Sequence, residues 1–246
     1  MDLHLWVVSR LFVGTPTQMF YEKPAAAWDA KGNLWVFAGT GDRPNPTSLL
    51  DPADPEGAAG RGSNGRLYGI KDPYDPATAV PAPWSNGDLE DVTGKNTLTP
   101  EDLTKPGGWR FKLEAGEKMF TSVELFNKQV FFATLKPGAV SSGTGCSISP
   151  SVARLYSMYY TTGGGATDEG AFTAAIPAPS ANRYNILGSG APTKTVISTL
   201  SLGGGGILYT GTNEGTVRRG RSTPQANELF LNAPNNLRFT RYWRQN

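Results

Sequence analysis

The sequence holds one cysteine, Cys146, and one histidine, His4. A single cysteine excludes an intrachain disulfide and any zinc site built on paired thiolates. It is expected to pack as a small hydrophobe. A single histidine, read as a surface or strand-end residue, rules out most histidine-based metal centres and nucleophile triads. Long apolar runs are also missing: no stretch approaches the ~20 residues of a membrane helix, so no membrane span is expected. The opening MDLHLWVVSRLFVG is interrupted by Asp2, His4 and Arg10. It does not read as a basic leader, a long apolar core and a cleavage site. Charge of one sign is scarce, with a net value of +2. That gives no reason to expect a nucleic-acid partner. From Lys194 onward there are seven basic and two acidic residues. Arg218, Arg219, Arg221, Arg238, Arg241 and Arg244 favour an acidic partner in principle, though solvated or salt-bridged arginines explain them as well.

Glycine and proline are abundant: 30 and 19 of 246 residues, about a fifth of the chain. Such a share favours many turns over long helices, and the aromatic residues supply a core. The patterned segments are short. Leu5 to Val13, Asn33 to Gly41, Arg66 to Asp72 and Trp109 to Glu114 read as strands. So does Ala153 to Gly165, running into a glycine turn. Lys118 to Leu135 reads as a hairpin turning at Asn127-Lys128. Thr193 to Arg221 holds three strands between glycine clusters, and Leu237 to Gln245 alternates to the end. Asp42 to Gly65, Asp72 to Pro106 and Gly163 to Pro192 read as long loops. The second carries a short helix capped by Thr99, with Pro100 at its first position.

One unit is written three times. NLWVFAGTGD is followed by GRLYGIKD, QVFFATLKP by ARLYSMYYTTGG, and GGILYTGTNEG by TVRRG. In each a strand ends on Gly-Thr or Ala-Thr and a second strand follows. The steps recur about 80 to 95 residues apart, against about 40 to 50 for a plain propeller blade, so the first two units carry insertions. A small residue followed by a turn suits an inner strand where strands crowd. The Gly-Thr endings are therefore structural. GTGD lacks the Lys-Ser/Thr and the following helix of a phosphate loop.

The ordered set KPAAAWDAKGNLWVFAGTGD, GRLYGIKDPYD, GGWRFKLEAGEKMFTSVELFNKQVFFATLKP, the lone Cys146, ARLYSMYYTTGG, ILGSGAPTKTVISTLSLGGGGILYTGTNEGTV and RYWRQ resembles the C-terminal propeller of the PilY/PilC family of type IV pilus biogenesis and tip-adhesin proteins. No single motif is specific; the order is. The resemblance spans roughly Leu11 to Arg244. It implies an all-β chain, residues 1–246, forming the C-terminal part of a propeller: an incomplete ring of about three to four blades with long inserted loops. It also implies a non-enzymatic, extracellular component of the pilus tip that works with minor pilins in assembly, adhesion and twitching motility, with a host or abiotic surface as target. Another chain or domain is expected to complete the ring, because an open propeller exposes strand edges and core. The chain departs from the family in showing no von Willebrand A-like or other N-terminal region. The family's Asp-x-Asx-x-Asp calcium loop is also absent, so calcium is carried over to no residue here.

No catalytic, cofactor or metal residue is assigned. Asp51, Asp54 and Glu56 offer oxygens to Ca²⁺, but two prolines restrict that loop. Asp29, in DAKGN, reads as turn chemistry before a strand. Two other propeller classes fit less well. A quinoprotein dehydrogenase fragment shares the strand-Gly-Thr motif but usually needs a calcium set, an Asp base and often a cysteine pair. A lectin-like or general protein-interaction propeller would use aromatic contacts, and Trp84 and Trp109, in or beside loops, are the surface candidates for it.

Overall fold

The computed structural model describes residues 9–14, 19–41, 65–73, 82–95, 98–126, 128–138, 150–165, 183–198, 207–214, 217–221 and 231–232. His4, Asp51, Asp54, Glu56, Cys146, Arg238, Arg241 and Arg244 lie outside them, as does the strand expected at Leu237 to Gln245. The described chain is all-β. Its strands are β1 (Phe12–Val13), β2 (Ala25–Trp28), β3 (Leu34–Gly39), β4 (Arg66–Lys71), β5 (Trp84–Ser85), β6 (Glu90–Asp91), β7 (Gly108–Lys112) and β8 (Lys118–Met119). They continue with β9 (Glu124–Phe126), β10 (Gln129–Lys136), β11 (Val152–Tyr159), β12 (Tyr184–Ser189), β13 (Val196–Ser198), β14 (Ile207–Gly211), β15 (Val217–Arg221) and β16 (Leu231–Asn232).

Three larger sheets follow one another along the chain. The first runs β2-β3-β4-β7, antiparallel, with β6 added parallel to β7. In the second, β10, β11 and β12 follow in antiparallel order, and β8 and β9 share the other edge of β10. The third is the meander β13-β14-β15-β16. β1 pairs in parallel with β5. Among the described residues the sheets close into neither a barrel nor a ring.

The sheets stack face to face, and the side-chain alternation shows how. From the first sheet, Phe37, Leu67, Trp109 and Phe111 pack against Val130, Phe132, Tyr156 and Met158 of the second. The other face of the second sheet, Phe131, Ala133, Ala153 and Leu155, packs with Leu187, Leu208 and Ile197 toward the third. A middle sheet covered on both sides needs apolar residues at consecutive positions, and QVFFATL is buried throughout for that reason. The far face of the first sheet, Tyr68 and Ile70, is covered by Leu89, Leu11, Phe12 and Trp84.

The repeated unit occupies equivalent places. At the end of β3 the Thr40 amide donates to the Arg66 carbonyl and the Thr40 hydroxyl accepts from the Arg66 amide, and Thr134 stands opposite Arg154 in the β10–β11 ladder. Leu67 and Leu155 face the following sheet, while Tyr68 and Tyr156 face backward. The Gly-Thr strand is the second strand of each sheet, hydrogen-bonded on both sides, rather than the edge nearest its neighbours. The edges that gather are the first strands: β9 lies against β2 and also against β13. Gly39 is small for a local reason. A Cβ there would lie 2.1 Å from the Met119 sulfur, because β8 of the next sheet crosses at that point. The amides around it are used, Thr40 N–H by Arg66 and Gly41 N–H by Met19, so no phosphate loop is formed.

Several expectations are corrected. The Gly163 to Pro192 segment contains β12, and β2 forms in Ala25–Trp28 despite its alanines. MFTSVELF is split into β8 and β9, with the Thr121 hydroxyl accepting the Ala133 amide between them. Of Leu5 to Val13, only Phe12–Val13 is a strand among the described residues. The Thr99-capped helix is a single 3₁₀ turn, Pro100–Asp102, with the Asp102 carboxylate accepting from the Thr99 amide and hydroxyl.

Candidate functional site

Trp109 is not a surface contact, and Trp84 is only partly exposed. Trp109 is fully buried, and its Nε1 donates to the Tyr160 carbonyl at 2.8 Å. Trp84 is half-buried on the far face of the first sheet, donating to the Lys71 carbonyl at 2.8 Å. Both look loop-borne in sequence because glycine and proline surround them. Structurally, each is the first or second residue of a strand whose inward position it fills.

The most exposed described aromatic side chain, Trp28, lies elsewhere, beside the place where the β2–β3 turn, residues 98–106, Lys128 and the turn after β11 meet. A cleft of about 590 Å³ is lined there by Asp29, Lys31, Trp35, Lys71, Leu98, Leu103, Lys105, Lys128, Tyr159 and Tyr160. An adjoining hollow of about 410 Å³ shares Asp29, Ala30, Lys128 and Tyr160 with it and adds Trp28, Phe126 and Gln129. Trp28 is 68% exposed. Lys128 has φ of +63°, the only positive value at a non-glycine among the described residues. Such a conformation is uncommon for a long side chain.

Asp29 organises one wall by the turn chemistry expected of it. Its Oδ1 accepts the amides of Lys31 and Asn33, both at 2.8 Å, and its Oδ2 accepts Asn33 Nδ2 at 2.7 Å and Trp35 Nε1 at 3.0 Å. Gly32, at φ +81°, closes the turn. Partial burial works to raise the Asp29 pKa. The hydrogen bonds from Trp35, Asn33 and the two amides outweigh it and hold the carboxyl at about 2. Asp29→Ala is expected to cost about 1–3 kcal/mol, because the Trp35 donor is then buried without its acceptor. The depressed pKa makes this contribution fully present above 3.8 and lost as the pH falls through about 2. Urea unfolding of both proteins across that range should show the gap between them closing.

A second polar group is buried between the first two sheets. Glu117 accepts from Arg154 Nη1 at 2.9 Å, from Tyr156 Oη at 3.2 Å and from the Thr134 hydroxyl. Arg154 also pairs with Glu114 at 2.8 Å and lies 4.3 Å over the Tyr184 ring, while Lys136 pairs with Glu114. Burial pushes the Glu117 carboxyl up, against the opposing Arg154 charge. Burial also disfavours the Glu114 carboxylate, but the hydrogen bonds and charges of Arg154 and Lys136 bring its pKa below the usual value. Glu117 and Arg154 are buried while Glu114 and Lys136 reach the surface, so the cluster braces the two sheets from the core outward.

Among the described residues no group of three or more metal-ligating side chains converges, and no helix is long and apolar enough to cross a membrane. Arg218, Arg219 and Arg221 lie on β15. Sequence reasoning missed Trp28, Lys31, Lys105, Lys128, Tyr159 and Tyr160 as one site. The usable signal was AAAWDAKGN, a tryptophan immediately before a tight turn carrying a lysine. No protein-family model, curated protein or solved structure matches the chain.

Proposed function

We propose that the chain is a non-enzymatic, extracellular component of the type IV pilus tip, contributing consecutive blades to a propeller that minor pilins and a further chain or domain complete. What supports this reading most is one observation. Three consecutive sheets of five, five and four strands, antiparallel apart from β6, stack face to face, and the repeated strand-Gly-Thr unit lies at equivalent places in the first two. Stacked meanders are how propeller blades bury their faces. The ordered resemblance to PilY/PilC proteins supplies the biological half. In this reading the aromatic and lysine-lined cleft serves adhesion, which also gives weight to the lectin-like alternative.

Native mass spectrometry of the protein isolated from its source, with peptide sequencing of what copurifies, tests the proposal. A complex containing minor pilins or a chain carrying further blades is the expected result. A lone monomer whose described sheets are closed by its own remaining residues would remove the open-ring assignment.

A further inference from the structure

We infer that the cleft beside Asp29 and Lys128 binds an acidic saccharide, a chain of sugar units carrying carboxylate or sulfate groups. The inference rests on reading the chain as a binding module and names the ligand class of that site. Three features of the cleft carry it.

The first is charge. Lys31, Lys71, Lys105 and Lys128 all line the cleft, and no ion pair engages any of them among the described residues. The one carboxylate on the wall, Asp29, has both oxygens occupied within its own turn. Four ammonium groups face one ionised carboxylate here, with Asp88 also near Lys105, so the described walls carry a net positive charge that a concave surface focuses. The second is the aromatic surface. Trp28 stands largely in water at the end of an edge strand, and Tyr159 and Tyr160 line the neighbouring wall. An aromatic face is electron-rich and apolar, which suits the C–H face of a sugar ring while the ring's charged substituents reach outward to ammonium groups. The third is conformation. Lys128 is held in a left-handed backbone geometry at the point shared by the two hollows. The two-residue connection between β9 and β10 calls for positive φ, and that hairpin turn sets Lys128 at the mouth of both hollows.

Each of the two adjoining hollows is within the volume range of small-ligand sites, and the lining residues they share make them continuous. Nucleic acid fits less well. Among the described residues that line it the cleft has lysine and no arginine, so they offer point charges rather than the planar fork that reads phosphate and base edges.

The test is titration of the full chain, by calorimetry and tryptophan fluorescence, with a short heparin fragment, an oligogalacturonate and a neutral cello-oligosaccharide. The acidic sugars are expected to bind at least roughly tenfold more tightly than the neutral one, and to weaken as salt is added. Lys31→Ala combined with Lys128→Gly should weaken acidic binding by roughly tenfold or more. Glycine relieves the positive φ at position 128, so a loss there is not a loss of fold. Trp28→Ala should reduce the fluorescence response, leaving only what Trp35 on the cleft wall reports, and Lys23→Ala, away from the cleft, should leave binding unchanged. Equal affinity for the neutral sugar, unchanged binding in the double variant, tighter binding of a single-stranded oligonucleotide, or no binding at all would each overturn the inference. The pilus reading is tested separately. Saccharide binding without pilin partners leaves this site standing, and a pilin complex without saccharide binding removes it.

Discussion

Trp109→Ala is expected to lower the stability of the fold by about 3–5 kcal/mol, the range for truncating a fully buried large aromatic side chain. The ring sits in a slot that only glycines permit: a Cβ on Gly69 would lie 2.3 Å from it, and one on Gly163 2.7 Å. Those neighbours have no side chains to move into the vacated space, so the cavity stays open and the cost falls toward the upper end. Truncation also takes the Nε1 donor from the Tyr160 carbonyl. Urea unfolding should show a lower midpoint at an unchanged slope. Trp109→Phe, which keeps most of the buried area and loses the hydrogen bond, should cost clearly less. A loss under about 1 kcal/mol on truncation would return Trp109 to the surface role that its loop-like surroundings suggest. The effect reaches the cleft as well, because Tyr160, whose carbonyl Trp109 holds, forms part of its wall.

That residue also shows where sequence reading stops. The strands with alternating or continuous apolar runs were legible, as at Leu34–Gly39, Arg66–Lys71, Gln129–Lys136 and Val152–Tyr159. Their pattern is set by which faces are covered, and that pattern is written locally. β2 was not legible, because three alanines carry little strand preference and the strand is defined by its pairing with Leu34–Phe37. β12 was hidden in a segment whose composition reads as loop, and its pairing with β11 arises from a partner about 30 residues upstream in sequence. Tertiary pairing decides both.

The candidate site divides in the same way. Asp29 was readable as turn chemistry because every partner of its carboxylate lies within six residues. The cleft was not, because Trp28, Lys105, Lys128 and Tyr160 come from four separate segments that only the stacking of the first two sheets brings together. The aromatic residues picked for exposure were those next to glycine and proline. The most exposed of the described aromatics, Trp28, sits within a strand, on the outward side of an alternating half-buried edge.

Arg154→Met is the other substitution expected to have a large effect, about 3–5 kcal/mol at neutral pH, since removing one partner leaves a buried charge uncompensated. Glu117 is fully buried and Arg154 is nearly so, and Arg154 is the cation that meets both Glu117 and Glu114. Methionine keeps much of the side-chain volume, so the loss is chiefly electrostatic. Adding Glu117→Gln should recover a good part of it, because the amide still bonds Thr134 or Tyr156 without carrying charge; double-mutant analysis by urea unfolding reads the coupling. The pH dependence provides an independent check. Burial already raises the folded-state pKa of Glu117, and losing the Arg154 charge raises it further. A raised carboxyl favours the folded state most below its unfolded value, and that advantage disappears as the pH rises through the folded value. The deficit of Arg154→Met relative to the parent should therefore shrink on acidification and grow toward neutral pH. The Glu117→Gln double variant should lose most of that dependence. A deficit that is flat with pH would mean that Glu117 is not the charge Arg154 compensates, and that Arg154 acts by packing over Tyr184 instead.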